Sequence, residues 1–295
     1  MRTELSILMP TFNDDCCDAV MELARQALEI DGLKFEILIG DDGSDNEEIA
    51  ARNSQCTAIH TCRYIRQNQN LGRAAIRNLL AREARFDWLL FVDSGMGIVR
   101  EDFIKTYLTT EHEPVYGGYT VSTDDHAILQ SNLRYCYEMA AVEHHKAENR
   151  AKRPNRDFHT SNFLVSRSLF LRYPLDERFR QYGYEDVFWG KQLSEAGITI
   201  HHIANPVAFD RFETNEQFLA KTEEGLRTLH QFRDELDGYS RLLRTAKIVK
   251  KLHLTKIFNS IFAKKQQKWR KSLCGSPSLR LFKYYKLFYF SALNS

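Results

Sequence analysis

The chain has 295 residues, enough for a large buried core, and its 43% hydrophobic and 27% charged content is ordinary for a globular protein. No apolar run reaches the ~18 residues of a membrane-spanning helix, and the amino-terminal MRTELSILMP enters a strand without the charged-then-apolar order of a signal peptide. The net charge of +2 conceals a split: residues 238–295 hold 14 Lys/Arg and no Asp/Glu, against 27 and 39 in residues 1–237.

In chain order, LSILM (5–9) reads as a strand running into Pro10-Thr11-Phe12-Asn13. Residues 14–30 carry Val20, Leu23, Ala24, Ala27 and Leu28 at helical spacing, and Asp31-Gly32 ends that helix. FEILIG (35–40) is a second strand, leading into Asp41-Asp42-Gly43-Ser44 and a short helix over 46–53. A short strand is expected at 61–65, then a helix over 71–84. WLLFV (88–92) is a strand ending in Asp93-Ser94-Gly95, followed by a helix over 101–109. VYGGYTV (115–121) reads as one strand whose glycine pair implies close approach of another backbone. Residues 127–150 read as one long helix, 150–156 as a basic loop, and NFLVSRSLFL as a strand entering a helix. A helix over 185–196, a strand ITIHHI ending near Asn205-Pro206, and a polar-faced helix over 216–236 complete the body.

Strands separated by helices lie parallel in one sheet, so 1–237 is read as one α/β domain. Ligands of such sheets bind outside the carboxyl ends of the strands, which gathers the three polar clusters on one rim. Carboxylates dominate it. They accept from ribose hydroxyls or a base N–H, or hold a cation that in turn holds phosphates. A sugar nucleotide presents all of these groups. No G-x-G-x-x-G follows any strand, which argues against a dinucleotide-binding dehydrogenase.

PTFN, DDGSDN, NLGRAAIRN, the Asp of FVDSG and YGYEDVFWG occur in that order, and together they resemble the family-2 glycosyltransferases of the GT-A fold. The resemblance runs from Leu5 to His230, and within the family it is similar to a bacterial group with a galactosyltransferase-type carboxyl region. It implies a Rossmann-like, mostly parallel sheet flanked by helices and an inverting transfer from a nucleotide-sugar, UDP-linked, to a saccharide or lipid-linked acceptor in surface polysaccharide synthesis. On the donor side it implies Pro10, Thr11, Asp42, Gly72, Arg77, Asp93 and Ser94. Asp186 becomes the base that takes the acceptor proton, and Glu185 the residue that orients the acceptor. The family places Asp-x-Asp at FVDSG, with an Mn2+ or Mg2+ ion bridging the diphosphate. Here Asp93 alone remains as a ligand, because Gly95 stands at the second carboxylate position and Phe209 where a His is expected. His201, His202 or Asp210 are the possible substitutes. The same two departures leave open a degenerate GT-A domain serving as a nucleotide- or glycan-binding partner subunit.

A structural reading stands beside each of these roles. Asp42 and the Glu185-Asp186 pair also suit helix capping. Tyr182, Tyr184 and Trp189 suit sugar stacking or packing. His159-Thr160-Ser161-Asn162 is a candidate acceptor wall, while His144-His145 reads as surface. Six cysteines (16, 17, 56, 62, 136, 274) lack metal-like pair spacing, which fits a reducing cytoplasm. The tail, 238–295, mixes Leu, Ile, Phe and Tyr with Lys and Arg at helical spacing and is interrupted at Gly275-Ser276-Pro277. Such helices suit an anionic membrane surface rather than nucleic acid, so a location at the inner membrane face is expected; packing onto the domain is the alternative.

Overall fold

The computed structural model describes residues 1–121 and 129–293. Its elements are β1 (Glu4–Thr11), α1 (Cys17–Leu28), β2 (Lys34–Asp41), α2 (Glu47–Ser54), β3 (Cys62–Arg66), α3 (Arg73–Glu83), β4 (Trp88–Val92), β5 (Gly97–Ile98), α4 (Phe103–Thr109), β6 (Val115–Tyr116), β7 (Tyr119–Val121) and α5 (Leu133–Met139). They continue with α6 (Ala147–Arg150), β8 (Asn162–Ser166), α7 (Arg167–Arg172), α8 (Glu185–Glu195), β9 (His201–His202), β10 (Val207–Phe209), α9 (Asn215–Gln231), α10 (Arg241–Lys251), α11 (Thr255–Gly275) and α12 (Leu279–Ala292). The chain divides into two units. The first is 1–120, 143–180 and 185–211; the second is 121–142, 181–184 and 212–295.

The first unit holds a seven-stranded sheet in the order β3-β2-β1-β4-β8-β6-β9. β1, β2, β3 and β4 are mutually parallel, as the strand–helix alternation requires, while β8 runs antiparallel to β4 and β6. Period-2 alternation sends Leu5, Ile7 and Met9 to the face covered by α1 and α4. Leu8 and Leu38 face the other side with Ala74 and Leu80 of α3 and Trp189 and Leu193 of α8. Both faces are therefore covered, as a parallel sheet demands. A second sheet orders β5-β10-β7.

The expected single strand at 115–121 is two strands, split at Gly117-Gly118 and belonging to different sheets. The close approach holds: a β-carbon on Gly117 would lie 2.3 Å from the Asn205 carbonyl oxygen. The single helix expected over 127–150 is not formed. Residues 127 and 128 lie outside the described residues, and the remainder is α5, a 3-10 turn at Val142–His145 and α6. The ITIHHI strand shortens to β9.

In the second unit, Phe218 and Leu219 of α9 and Leu133 of α5 pack with Phe262 and Leu273 of α11 and Phe282 and Tyr285 of α12. The charge step at residue 237 thus does not coincide with a packing boundary, since α9 shares a core with the basic helices. Part of their apolar surface goes into this core, while Ile248, Leu252 and Ile257 stay exposed. No helix among the described residues is long and apolar enough to cross a membrane.

Candidate active site

β1 and β2 end side by side, with Thr11 opposite Asp41 and Pro10 opposite Gly40. The turns that follow are tied together. The Asp42 N–H donates to the Thr11 carbonyl (2.9 Å), and the Asn13 N–H donates to Ser44 Oγ (2.8 Å). The Asn13 side-chain oxygen accepts from the N–H groups of Asp45 (3.1 Å) and Asn46 (3.0 Å). Gly43 has φ +75°, and a β-carbon there would stand 2.5 Å from the backbone of Gln69, so the turn has room only for glycine. Buried Asp41 accepts from the Ser44 N–H and the Tyr64 hydroxyl.

Asp42, expected on the nucleotide, is buried and accepts from the N–H groups of Leu71 (2.7 Å) and Gly72 (3.0 Å). Burial raises its pKa, opposed by those two amides. It fastens the two residues that lead into α3. The amide of Gly72, expected at a pyrophosphate, is already bonded to this carboxylate. Gly72 has φ +96°, and a β-carbon there would come within 2.8 Å of the Arg180 carbonyl oxygen.

Downstream of β4, the Asp93 N–H is anchored on the Ser161 carbonyl (2.9 Å). Its carboxylate pairs with Arg77, which is 2% exposed, and lies 3.4 Å from Arg73 Nη2. Arg77 Nη1 also donates to the Arg73 carbonyl (2.9 Å). Arg73, 40% exposed, donates from Nε to Glu185 Oε1 at 2.7 Å. A continuous chain Arg77–Asp93–Arg73–Glu185 therefore links α3, the end of β4 and the first residue of α8. Glu185 is 3% exposed, and its Oε2 is buried with no hydrogen-bond partner among the described residues. A buried carboxylate oxygen left unbonded is costly, and a hydroxyl brought to it would be stabilised.

Asp186 follows directly. Its Oδ2 lies 3.0 Å from His159 Nδ1, and its Oδ1 accepts from the Val187 N–H (2.7 Å). Burial pushes this carboxyl upward, but the hydrogen bond and charge of His159, with the Val187 amide, outweigh it and hold the pKa below the ordinary value. The residue before this pair, Tyr184, has φ +74°, an unfavourable conformation for a non-glycine residue that costs on the order of 1–3 kcal/mol.

The residues present do not fit a resident divalent cation. Asp93 is engaged by two guanidinium groups. At Gly95, the space a side chain would enter is held by Asp14, whose Oδ2 lies 2.5 Å from the β-carbon position and 3.3 Å from Ser94 Oγ. Asp14 Oδ1 is 3.5 Å from Arg211 Nη1. Phe209 lies near the Tyr119 ring. His201 stacks on His112, and both ring nitrogens of His202 are bonded, to Arg150 and to the Pro154 carbonyl; burial takes its pKa down to about 4. Asp210 Oδ2 lies 3.2 Å from the β-carbon position of Gly97. No group of three or more His, Cys, Asp or Glu side chains arranged for a metal exists among the described residues.

Trp189 is a packing residue, not a sugar platform: it is fully buried against Phe158, Phe163 and Phe170, and its Nε1–H donates to the Tyr173 carbonyl. Thr160, Ser161 and Asn162 are buried, while His159 reaches the Asp186 carboxylate. His145 Nε2 meets the Tyr119 hydroxyl (2.9 Å). Tyr182 belongs to the second unit, where Glu224 and Thr228 bind its backbone. Sequence reasoning missed Asp14 and Arg211. Their charge was visible; their neighbours, 80 or more residues away, were not. Thr11 Oγ1 donates to the Asp14 carbonyl (2.7 Å), which shapes that loop.

The model of glycosyl transferase family 2 matches residues 6–173, more than half of the chain, from within β1 to the end of α7. The chain belongs to glycosyl transferase family 2. This glycosyltransferase has the GT-A fold, and solved structures resemble it along nearly its whole length. One is the mannosyltransferase PcManGT of Pyrobaculum calidifontis in complex with GDP-Man and Mn2+. It is 13% identical, with 98% of this chain and 86% of that chain covered and a TM-score of 0.55. Another is S. aureus TarS 1–349 in complex with UDP, 14% identical, with 99% and 90% covered and a TM-score of 0.52. At such identity the likeness is one of fold. No curated protein sequence matches the chain.

Proposed function

We propose that this glycosyltransferase moves a sugar, with inversion, from a nucleotide-sugar, UDP-linked, to a saccharide or lipid-linked acceptor. The observation that carries the reading is the adjacent pair at the start of α8. Asp186 is held ionised by His159, and Glu185 keeps one buried oxygen unbonded. An ionised Asp186 accepts the proton of the acceptor hydroxyl as its oxygen bonds to the anomeric carbon. The bond from that carbon to the diphosphate oxygen breaks on the opposite face, and the nucleoside diphosphate leaves with the electron pair. Glu185 Oε2 would take a hydrogen bond from a sugar hydroxyl and so fix the acceptor.

On the donor side, Pro10 and Thr11 shape the end of β1. Asp42 sets the loop before α3, and Ser94 and Asp93 close the rim. Arg73, partly exposed between two carboxylates, is the cationic group best placed for the diphosphate; buried Arg77 fixes Asp93 beneath it. Both named fold neighbours hold nucleotides, GDP-Man in one and UDP in the other. Thermal shift with UDP, GDP and their sugars tests the donor. A ligand at 100 times its Kd stabilises by roughly 2.7 kcal/mol, a readable change. A UDP-sugar is expected to raise the midpoint, and no response to any nucleotide would contradict the reading.

The setting is surface polysaccharide synthesis at the inner membrane face, with the basic helices touching anionic lipid. Ile248 (53% exposed), Leu252 (60%) and Ile257 (54%) stand among Lys247, Lys250, Lys251 and Lys256. That combination suits the headgroup boundary.

A further inference from the structure

Away from the rim, three cysteines gather around one point. Cys16 and Cys17 open α1, and Cys56 lies in the 3-10 turn after α2. Sγ of Cys56 and Sγ of Cys17 are 3.3 Å apart. Cys16 and Cys56 are buried, while Cys17 is partly exposed, so the pair has a way out to solvent. We infer that Cys17 and Cys56 form an oxidation-sensitive thiol pair, converted to a disulfide by a peroxide.

A disulfide needs its sulfurs at about 2.0 Å, so they have little more than an ångström to travel. The carriers of the two thiols are already fastened together. The Asn53 side-chain oxygen accepts from the Cys16 N–H (3.0 Å), and its NH2 donates to the Asp14 carbonyl (2.9 Å). Arg52 Nε pairs with Asp15 at 3.0 Å. Closure therefore occurs inside a fixed frame. The protons are unevenly held. The Cys16 hydrogen bond, helped by that of Cys17, draws the Cys56 thiol down to about 6 against the effect of burial, and burial pushes the Cys17 thiol up to about 12. One thiolate beside one protonated thiol is the arrangement that a two-step oxidation uses.

In the first step the Cys56 thiolate attacks one oxygen of hydrogen peroxide. An S–O bond forms, the O–O bond breaks and hydroxide leaves, giving the sulfenic acid. In the second, the Cys17 sulfur attacks the sulfenic sulfur. The S–S bond forms, the S–O bond breaks, and hydroxide leaves; with the two thiol protons, both hydroxides become water. Two thiols and one peroxide thus yield one disulfide and two waters. The bridge would lock the start of α1, three residues beyond Asp14, to the 3-10 turn that follows α2. It therefore couples oxidation to the loops that frame the rim. A reducing compartment fits such a pair, because cytosolic disulfides are characteristically transient or sensing.

The test is peptide mapping of the full chain after brief exposure to stoichiometric hydrogen peroxide, with free thiols counted by a chromogenic disulfide. Expected are a loss of two of the six thiols, a mass lower by two hydrogens, a Cys17–Cys56 crosslinked peptide, and full recovery with a dithiol reductant. Cys17→Ser and Cys56→Ser should each abolish that peptide, with circular dichroism confirming that they fold. A crosslink confined to another pair, sulfinic acid without a crosslink, or six intact thiols would overturn the assignment. The mapping of the unsubstituted chain decides the matter even where a variant fails to fold.

Discussion

The carboxylate of Asp14 lies 2.5 Å from the point where a β-carbon on residue 95 would stand. A loop residue after β1 thus fills the space that a side chain after β4 would enter, and the two positions cannot both carry a carboxylate without rearrangement. Gly95→Asp, which sequence alone would choose to restore an Asp-x-Asp pair, is therefore expected to displace Asp14 and bring like charges together. It should lower the melting midpoint and leave Mn2+ binding undetected by calorimetry on the nucleotide-free protein. Gly95→Asp with Asp14→Ala, which empties the contested space and removes the second carboxylate, should recover part of the stability. Micromolar Mn2+ affinity in the unsubstituted protein would show that the rim holds a complete cation site after all.

Arg73 links Asp93 to Glu185, whose other carboxylate oxygen is unbonded among the described residues. Arg73→Gln should destabilise the chain by about 1–3 kcal/mol. Removing one member of a buried pair costs roughly 3–5 kcal/mol, reduced here because Arg73 is 40% exposed. Urea denaturation measures it. A loss under about 0.5 kcal/mol would mean that the link carries little, as surface pairs do.

His159 keeps the Asp186 pKa below its ordinary value, against the upward push of burial. Sign follows from that. A depressed carboxyl contributes stability above the ordinary carboxylate range, and this is lost as pH falls through its folded-state value. The acid limb of the transfer rate should sit correspondingly low. His159→Phe removes the ring donor and leaves the burial, so the limb should move to higher pH. An unmoved limb would detach Asp186 from the pH profile.

Much of the fold was readable from the chain. The parallel register of β1, β2 and β4 follows from alternating runs with helices between them, and the helices at 17–28, 73–83 and 185–195 fall where their apolar spacing placed them. What was not readable depends on distant contacts. The 115–121 run breaks because Gly117 must approach Asn205. Asp42 looks like a ligand in sequence, yet its oxygens meet amides about 30 residues away. Trp189 looks like a sugar platform until the fold surrounds it with phenylalanines. The tail is basic by composition, but its Phe262, Phe282 and Tyr285 are core residues shared with α9.

That shared core also changes how the membrane contact is best tested. Truncation near Asp237 would strip Phe262, Leu273, Phe282 and Tyr285 from Phe218 and Leu219 and unsettle the second unit. Surface substitutions avoid this. Ile248→Glu with Leu252→Glu should leave the melting midpoint within a degree or two and weaken sedimentation with anionic vesicles several-fold. Binding by the unsubstituted chain should fall with salt, since screening shortens to ~3 Å at 1 M. Equal sedimentation of both proteins would leave these helices as packing elements only.

The central claim is that Asp186 takes the acceptor proton. Turnover of Asp186→Asn, with the donor and acceptor identified by screening, tests it most directly beside calorimetric binding of the same nucleotide. General-base catalysis contributes roughly 10²–10⁴-fold, so the variant should lose at least about a hundredfold in turnover and bind the nucleotide as the unsubstituted protein does. Turnover within a few-fold of the unsubstituted enzyme would contradict the account.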